Sequence, residues 1–206
     1  LKHSYTAKLG TIERIAGREA QIIDLIPNDN FRYSIKVWSD MEFGLLVKMS
    51  LLDHQGRALE QIGFTQLSMM NTHDLNWFQP KIDLTKQYVM EDETEVTHVT
   101  NNWVGANLPP GYRKIDHIEH TVPGKNTMVN QVIFSDGIAS VSLFIEPIKK
   151  GVRPKMGHKV VGSTNICANV VEGYQVIVVG EVPAQTVQQI AKAVSFSKQT
   201  QTTATK

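Results

Sequence analysis

One cysteine, Cys167, is all the thiol chemistry that 206 residues carry. A lone thiol excludes an internal disulfide framework and any multi-thiolate metal site. It is compatible with an oxidising compartment without requiring one. Long hydrophobic runs are also missing, and no stretch approaches the roughly 18 apolar residues of a membrane-spanning helix. Excess charge is missing too: 21 Lys+Arg meet 20 Asp+Glu, for a net +1. That removes the simplest electrostatic case for a duplex-binding protein, so no nucleic acid is expected as a partner. Against these absences, 41% of the residues are hydrophobic, which argues against wholesale disorder. The length suits one large domain or two small ones. The chain opens on Leu1 with no signal-like apolar segment, and reads as a processed product or a fragment.

Motifs that carry chemistry are absent as well. The chain has no Gly-x-Gly-x-x-Gly and no Gly-x-Ser-x-Gly nucleophile elbow. His117 and His120 resemble a metal pair, but residues three apart on a strand point to opposite faces. Gly157 to Gly162 has the glycine spacing of a phosphate loop, yet Ser163 stands where the lysine belongs. Cys167, beside Ile166 and close to Val170, reads as a buried inert thiol. The expectation is a protein with no catalytic residues, no metal site and no cofactor.

What is present is strand after strand. Residues 4–15 and 19–26 are β-branched-rich runs around Ala16-Gly17-Arg18. Residues 31–38 alternate, with Phe31, Tyr33, Ile35 and Val37 on one side and Arg32, Ser34 and Lys36 on a wet face. Residues 45–52 and 58–67 flank the loop His54-Gln55-Gly56. Together they predict an antiparallel meander of about five strands. If Asp53 pairs with Arg57, strict alternation puts Leu45, Val47, Met49, Leu51 and Leu59 on one face. Leu46, Leu52, Ile62 and Phe64 then lie on the other, beside Lys48 and Glu60. A sheet apolar on both faces is either covered on both or curved around a cavity.

Periodicity fades over residues 71–102, which read as a linker containing the acidic run Glu91-Asp92-Glu93. A second unit spans 103–196. Strands 113–119, 128–135, 138–146, 163–171 and 174–180 are expected, then a helix with Val187, Ile190, Ala191 and Val194 on one stripe. Pro183 suits its first turn, and Lys192 and Lys198 its C-terminal end. The tail 197–206 is polar and reads as disordered. The fold class is α+β and strand-rich.

Two features of the second unit suggest contacts. The Asp136-Gly137 hairpin, taken with a two-residue loop, puts Phe134, Val132, Val141 and Ile145 against the helix. Its other face carries Val129, Ile133 and Phe144 among small polar residues, which is either a partner-binding face or ordinary surface. Asp136 itself has a sufficient role in the turn. The loop from Lys149 to Lys159 holds Lys149, Lys150, Arg153, Lys155 and Lys159 and no acid. It is either a solvated mobile loop or an anion contact.

Several segments, in order, resemble the RseB/MucB family of periplasmic regulators. They are Arg32-Tyr33-Ser34 to Trp38, Gly44-Leu45-Leu46, Ser50 to Gln61, Leu108-Pro109-Pro110-Gly111-Tyr112, Phe134 to Ser142, and Val178 to Thr186. The resemblance implies a large domain like the LolA lipoprotein carriers, a curved antiparallel half-barrel, with residues 1–70 as its C-terminal portion. Leu46, Leu52, Ile62 and Phe64 would then face lipid. It implies a small domain that docks the periplasmic part of a membrane-bound anti-sigma factor and shields it from regulated proteolysis. Lipid or lipopolysaccharide would relieve the restraint. Family members carry further chain ahead of Leu1, so a neighbouring copy is a conceivable cover for the exposed sheet. A periplasmic lipid or lipoprotein carrier is the alternative function.

Overall fold

The structure is a computed structural model that describes residues 3–69, 74–83, 85–86, 97–98, 103–105, 107–121 and 128–196. Strands β1 (Tyr5–Ile15), β2 (Arg18–Pro27), β3 (Ser34–Asp40), β4 (Leu46–Leu52) and β5 (Ala58–Gly63) form an antiparallel meander in sequence order. A 3-10 turn follows at Leu75–Phe78, with the Asp74 side chain accepting from the Asn76 amide. The remaining strands are β6 (Thr97–His98), β7 (Trp103–Gly105), β8 (Arg113–Thr121), β9 (Met128–Ser135), β10 (Ser140–Pro147), β11 (Gly157–Val161), β12 (Thr164–Val171), β13 (Tyr174–Gly180) and β14 (Val194–Phe196), with helix α1 (Ala184–Ala193) before β14. They make a second antiparallel sheet, ordered β11-β12-β13-β10-β9-β8-β6, and a two-stranded β7-β14 pair. Among the described residues neither main sheet closes into a barrel, and the class is α+β. Among the described residues no helix is long and apolar enough to cross a membrane.

The larger core lies between α1 and the second sheet. Val187, Ile190 and Ala191 meet Val132, Phe134, Val141, Leu143, Val176 and Val178, all buried. The six from the sheet, each withdrawn from water, supply about 1.5–3 kcal/mol apiece before entropy is charged. Pro183 is the residue just before α1, with φ −53°, and not a member of its first turn. The first sheet has a smaller core of Ala20, Ile22, Trp38 and Val47.

The fold departs from the expected pattern at three places. In the β9–β10 hairpin Ser135 pairs with Ser140, so Asp136 to Ala139 form a four-residue loop where two residues were expected. The Asp136 carboxylate causes this: Oδ1 accepts from the Ile138 and Ala139 amides, both at 2.9 Å, and holds the wider turn open. Pairs shift by two residues, so the faces survive. In β4–β5 the expected 53/57 pairing is present, with the Asp53 amide donating to the Arg57 carbonyl at 2.9 Å. Register then slips between Leu51 and Leu52, and again against β3 between Trp38 and Ser39. Each bulge adds one residue and reverses the faces beyond it. Third, β3 begins only at Ser34, and residues 157–161 are an edge strand and not loop.

The linker 71–102 falls largely, and the tail 197–206 with Lys198 wholly, outside the described residues.

Candidate functional site

The connection between β2 and β3 carries the first sheet onto the second. Its residues contact the second unit in succession. Gln185 Nε2 donates to the Asn30 carbonyl, and Thr186 Oγ1 donates to the Phe31 carbonyl at 2.8 Å. Asn165 Nδ2 donates to Tyr33 Oη at 3.2 Å. Between these lies Arg32, whose side chain is fully buried. Its Nε donates to Asp136 Oδ2 at 2.5 Å, Nη1 to Asp29 and Nη2 to the Pro110 carbonyl. Asp29 also takes the Phe31 amide, which folds the connection back on itself.

The sequence reading put Arg32 on a wet face, and the structure corrects this. Burial works against the guanidinium charge, but the bonds to Asp136 and Asp29 prevail and raise its pKa. The guanidinium carbon also sits 5.0 Å from the Tyr112 ring centroid, a cation–π contact. Tyr5 and Tyr112 flank the node, and burial, then the Asp136 charge, pushes both phenols well above their usual range. Gly111 has φ +81°, and a Cβ there would lie 2.8 Å from Arg32 Nη2. Pro110-Gly111-Tyr112 is therefore shaped to receive an arginine.

This clamp sets the walls of a cleft of about 520 Å³ between the sheets. The first unit contributes Tyr33, Ile35, Met49, Leu51 and Ile62, and the second Ile138, Ser140, Thr164 and Val179. Glu60 and Glu181 supply acid at its edges. A cleft at a junction of two units, mainly apolar but with convergent polar side chains such as Gln61, Ser140 and Thr164, is the usual form of a binding site.

Of the residues expected to face lipid, the bulges bring Leu46, Ile62 and Phe64 together with Met49 around a shallow apolar depression. Leu52 does not join them. It pairs with Ser34 on the opposite face, beyond the slip. Ile62 belongs to both the depression and the cleft. Leu9 and Ile62 are 77% and 66% exposed, so this sheet face stands open.

Of the residues expected to bind a partner, Ile133 and Phe144 are half-buried on the second sheet's outer face. Ser142 faces Ile133 across the β9–β10 pair, and Gln131 Nε2 bonds Ser142 Oγ at 3.2 Å. Val129 pairs with His120 and is only 4% exposed, so it presents little surface to a partner. Strand pairing carries this face through Val179, which lies opposite Ser142, into the cleft.

The basic stretch is held in place. Gln175 Nε2 donates to the Lys155 carbonyl at 2.9 Å, and the Lys155 amide donates to Gln175 Oε1 at 2.7 Å. The Ile148 amide donates to the Gly173 carbonyl at 3.2 Å. Among the described residues no acid pairs with Lys149, Lys150, Arg153, Lys155 or Lys159. Lys159 lies on β11, and the other four on the anchored loop before it. His117 and His120 stand in different settings. His117 is buried with Nε2 3.2 Å from Asn130 Oδ1, while His120 is opposite Val129. No group of three or more His, Cys, Asp or Glu among the described residues could hold a metal.

Sequence reasoning missed Arg32, Asn165 and Gln175. The last two were visible as polar residues inside β-branched strands, where burial demands a partner. Nothing local marked Arg32 as the mate of a residue 104 positions away.

Comparison with known proteins gives a consistent answer. Residues 1–82 match the MucB/RseB N-terminal domain, and residues 97–195 the MucB/RseB C-terminal domain. The chain is 28% identical to Sigma-E factor regulatory protein RseB of Haemophilus influenzae, over 92% of this chain and 58% of that one. It is 29% identical to Sigma factor AlgU regulatory protein MucB of Pseudomonas aeruginosa, over 92% and 60% respectively. It thus spans somewhat under two thirds of these relatives. The crystal structure of MucB in complex with MucA(peri) superposes with a TM-score of 0.78 and 26% identity, covering 96% of this chain and 69% of that one.

Proposed function

The chain belongs to the MucB/RseB family, and on that premise we propose that it is a regulatory binding protein of the periplasm. It holds the periplasmic part of a membrane-bound anti-sigma factor, shields that segment from regulated proteolysis, and so restrains an envelope-stress sigma factor. Lipid or lipopolysaccharide reaching the open face of the first sheet relieves the restraint. Residues 1–70 and 103–196 act as two units joined by the segment between them.

One observation carries this proposal. The two units are locked by the buried Arg32–Asp136 pair, 2.5 Å apart, around an apolar cleft continuous with the outer face of the second sheet. A preformed, largely apolar surface with Glu60 and Glu181 beside it suits holding a peptide. The likeness to MucB bound to MucA(peri) favours the same partner class.

The test is calorimetric titration with the soluble periplasmic part of a MucA-type anti-sigma factor, using the unaltered chain, Phe144→Asp and Ile62→Glu. Micromolar or tighter binding that Phe144→Asp loses supports the function and the outer-face site. Loss with Ile62→Glu alone moves the site to the cleft. No binding by a folded sample overturns the proposal.

One observation favours the carrier alternative. Leu46, Ile62 and Phe64, each more than half exposed, line an apolar depression that nothing in the chain covers among the described residues. Acyl chains co-purifying with a protein that ignores the peptide would establish it.

A further inference from the structure

We infer that β11 is a strand-addition site, where an extended acidic segment of a partner protein pairs with the open edge of the second sheet. This rests on the peptide-holding function proposed above and adds a second contact for the same partner. Four observations support it. First, among the described residues β11 ends the sheet: it pairs with β12 and has no neighbour on its other side. An edge strand turns a row of backbone donors and acceptors outward, and an incoming strand satisfies them.

Second, apart from one charged side chain, Lys159, the edge carries neither the proline nor the bulge that blunts such a template. Gly157–Val161 contains no proline, and its pairing with β12 runs from Gly157↔Ala168 to Val161↔Thr164 without a slip. Val160 and Val161 are each 54% exposed, and Met156 just before them 65%. Third, the segment leading into the strand is cationic. Lys149, Lys150, Arg153 and Lys155 sit on a loop pinned by the reciprocal Lys155–Gln175 bonds, so a partner need not order it. None of these cations meets an acid among the described residues, so an acidic segment need displace no existing partner.

Fourth, the residue pattern selects the partner. Lys159 lies on the outer face opposite Ile166, while Val160 points the other way, opposite Asn165. An added strand carrying an acid across from Lys159 and an apolar residue across from Val160 satisfies both faces. A second copy of this edge, paired antiparallel about Lys159, would oppose lysine to lysine, which disfavours self-pairing. An anionic bilayer matches the charge but offers no ladder of backbone groups in register.

The experiment is amide hydrogen exchange on the full chain with and without the soluble periplasmic part of a MucA-type anti-sigma factor. Lys159→Glu and anionic phosphatidylglycerol vesicles are run in parallel. Lys159 is exposed, and its replacement leaves the core untouched. The expected result is exchange slowed about tenfold or more at outward amides of residues 157–161, with Lys159→Glu weakening the partner about tenfold. Binding without slowed exchange in 157–161 overturns strand addition and leaves the regulatory function standing. Protection by vesicles and not by the protein partner overturns the choice of occupant. No binding by either overturns both proposals.

Discussion

Arg32 Nε and Asp136 Oδ2 are 2.5 Å apart, both side chains fully buried, one from the first sheet's connection and one from a hairpin of the second. Asp136 spends its two oxygens on different tasks. Oδ1 closes its own turn, and Oδ2 receives the arginine. A residue that looks like simple turn chemistry is thus the fixed half of the clamp between units. Breaking such a pair from one side leaves a charge buried without its partner.

Arg32→Met should destabilise the chain by about 3–5 kcal/mol in urea denaturation, the cost of stranding a buried carboxylate. Asp136→Asn keeps an oxygen for the turn and should cost less. The double variant should lose clearly less than the sum of the two, because the second change removes the charge that the first stranded. Strict additivity would show that the pair is not coupled.

Gly111→Ala tests the seat of the clamp. A methyl at φ +81° would lie 2.8 Å from Arg32 Nη2 and 3.1 Å from Ser4 Oγ. A loss of about 1–3 kcal/mol is expected. Gly137→Ala, at φ +99° with open space around it, should cost only the backbone component. Equal losses at the two sites would mean that Arg32 does not press on Gly111.

His117 should make stability depend on pH. Burial holds its pKa below the ordinary 6.5, against the opposing bond to Asn130. The unfolded chain therefore binds a proton that the folded chain resists. Stability is full above about pH 6.5 and falls as pH drops from there towards the folded value. His117→Gln should flatten the Tm profile between about pH 7 and pH 5, and an unchanged slope would assign that dependence to other groups.

Cys167 should be a sluggish nucleophile. Burial raises its pKa, with Lys192 opposing, and the side chain packs at the edge of the α1 core. Reaction with a disulfide reagent at neutral pH should run at least about tenfold slower in the native chain than in the unfolded one. Equal rates would place the thiol at the surface.

Charge reversal at Lys149, Lys150 and Arg153 should lower the association rate with an acidic partner more than it raises dissociation, and added salt should shrink the difference. Rate constants that do not change at two salt concentrations would rule out electrostatic steering.

Composition and periodicity determined most of the strands, helix α1 and its buried stripe, because alternation and the 3.6-residue repeat are local properties. Faces in β4–β5 were not legible. A bulge is one extra residue with no signature in sequence, and it sends Leu52 to one face while gathering Leu46, Ile62 and Phe64 on the other. Strand β11 was hidden among glycine, proline and lysine, since an edge strand buries little and needs no apolar alternation.

By itself, then, the sequence determined an α+β chain of two strand-rich units, the apolar stripe under α1, and a cationic stretch without acids. Only the tertiary structure decided that Arg32 is buried and that Asp136 serves two partners. It also decided that an apolar cleft lies where the sheets meet. The reason is physical: burying a charge is tolerable only when a counter-charge and further hydrogen-bond acceptors converge on it. That convergence joins residues 29, 32, 110 and 136, which are brought together by the fold and by nothing in their local sequence.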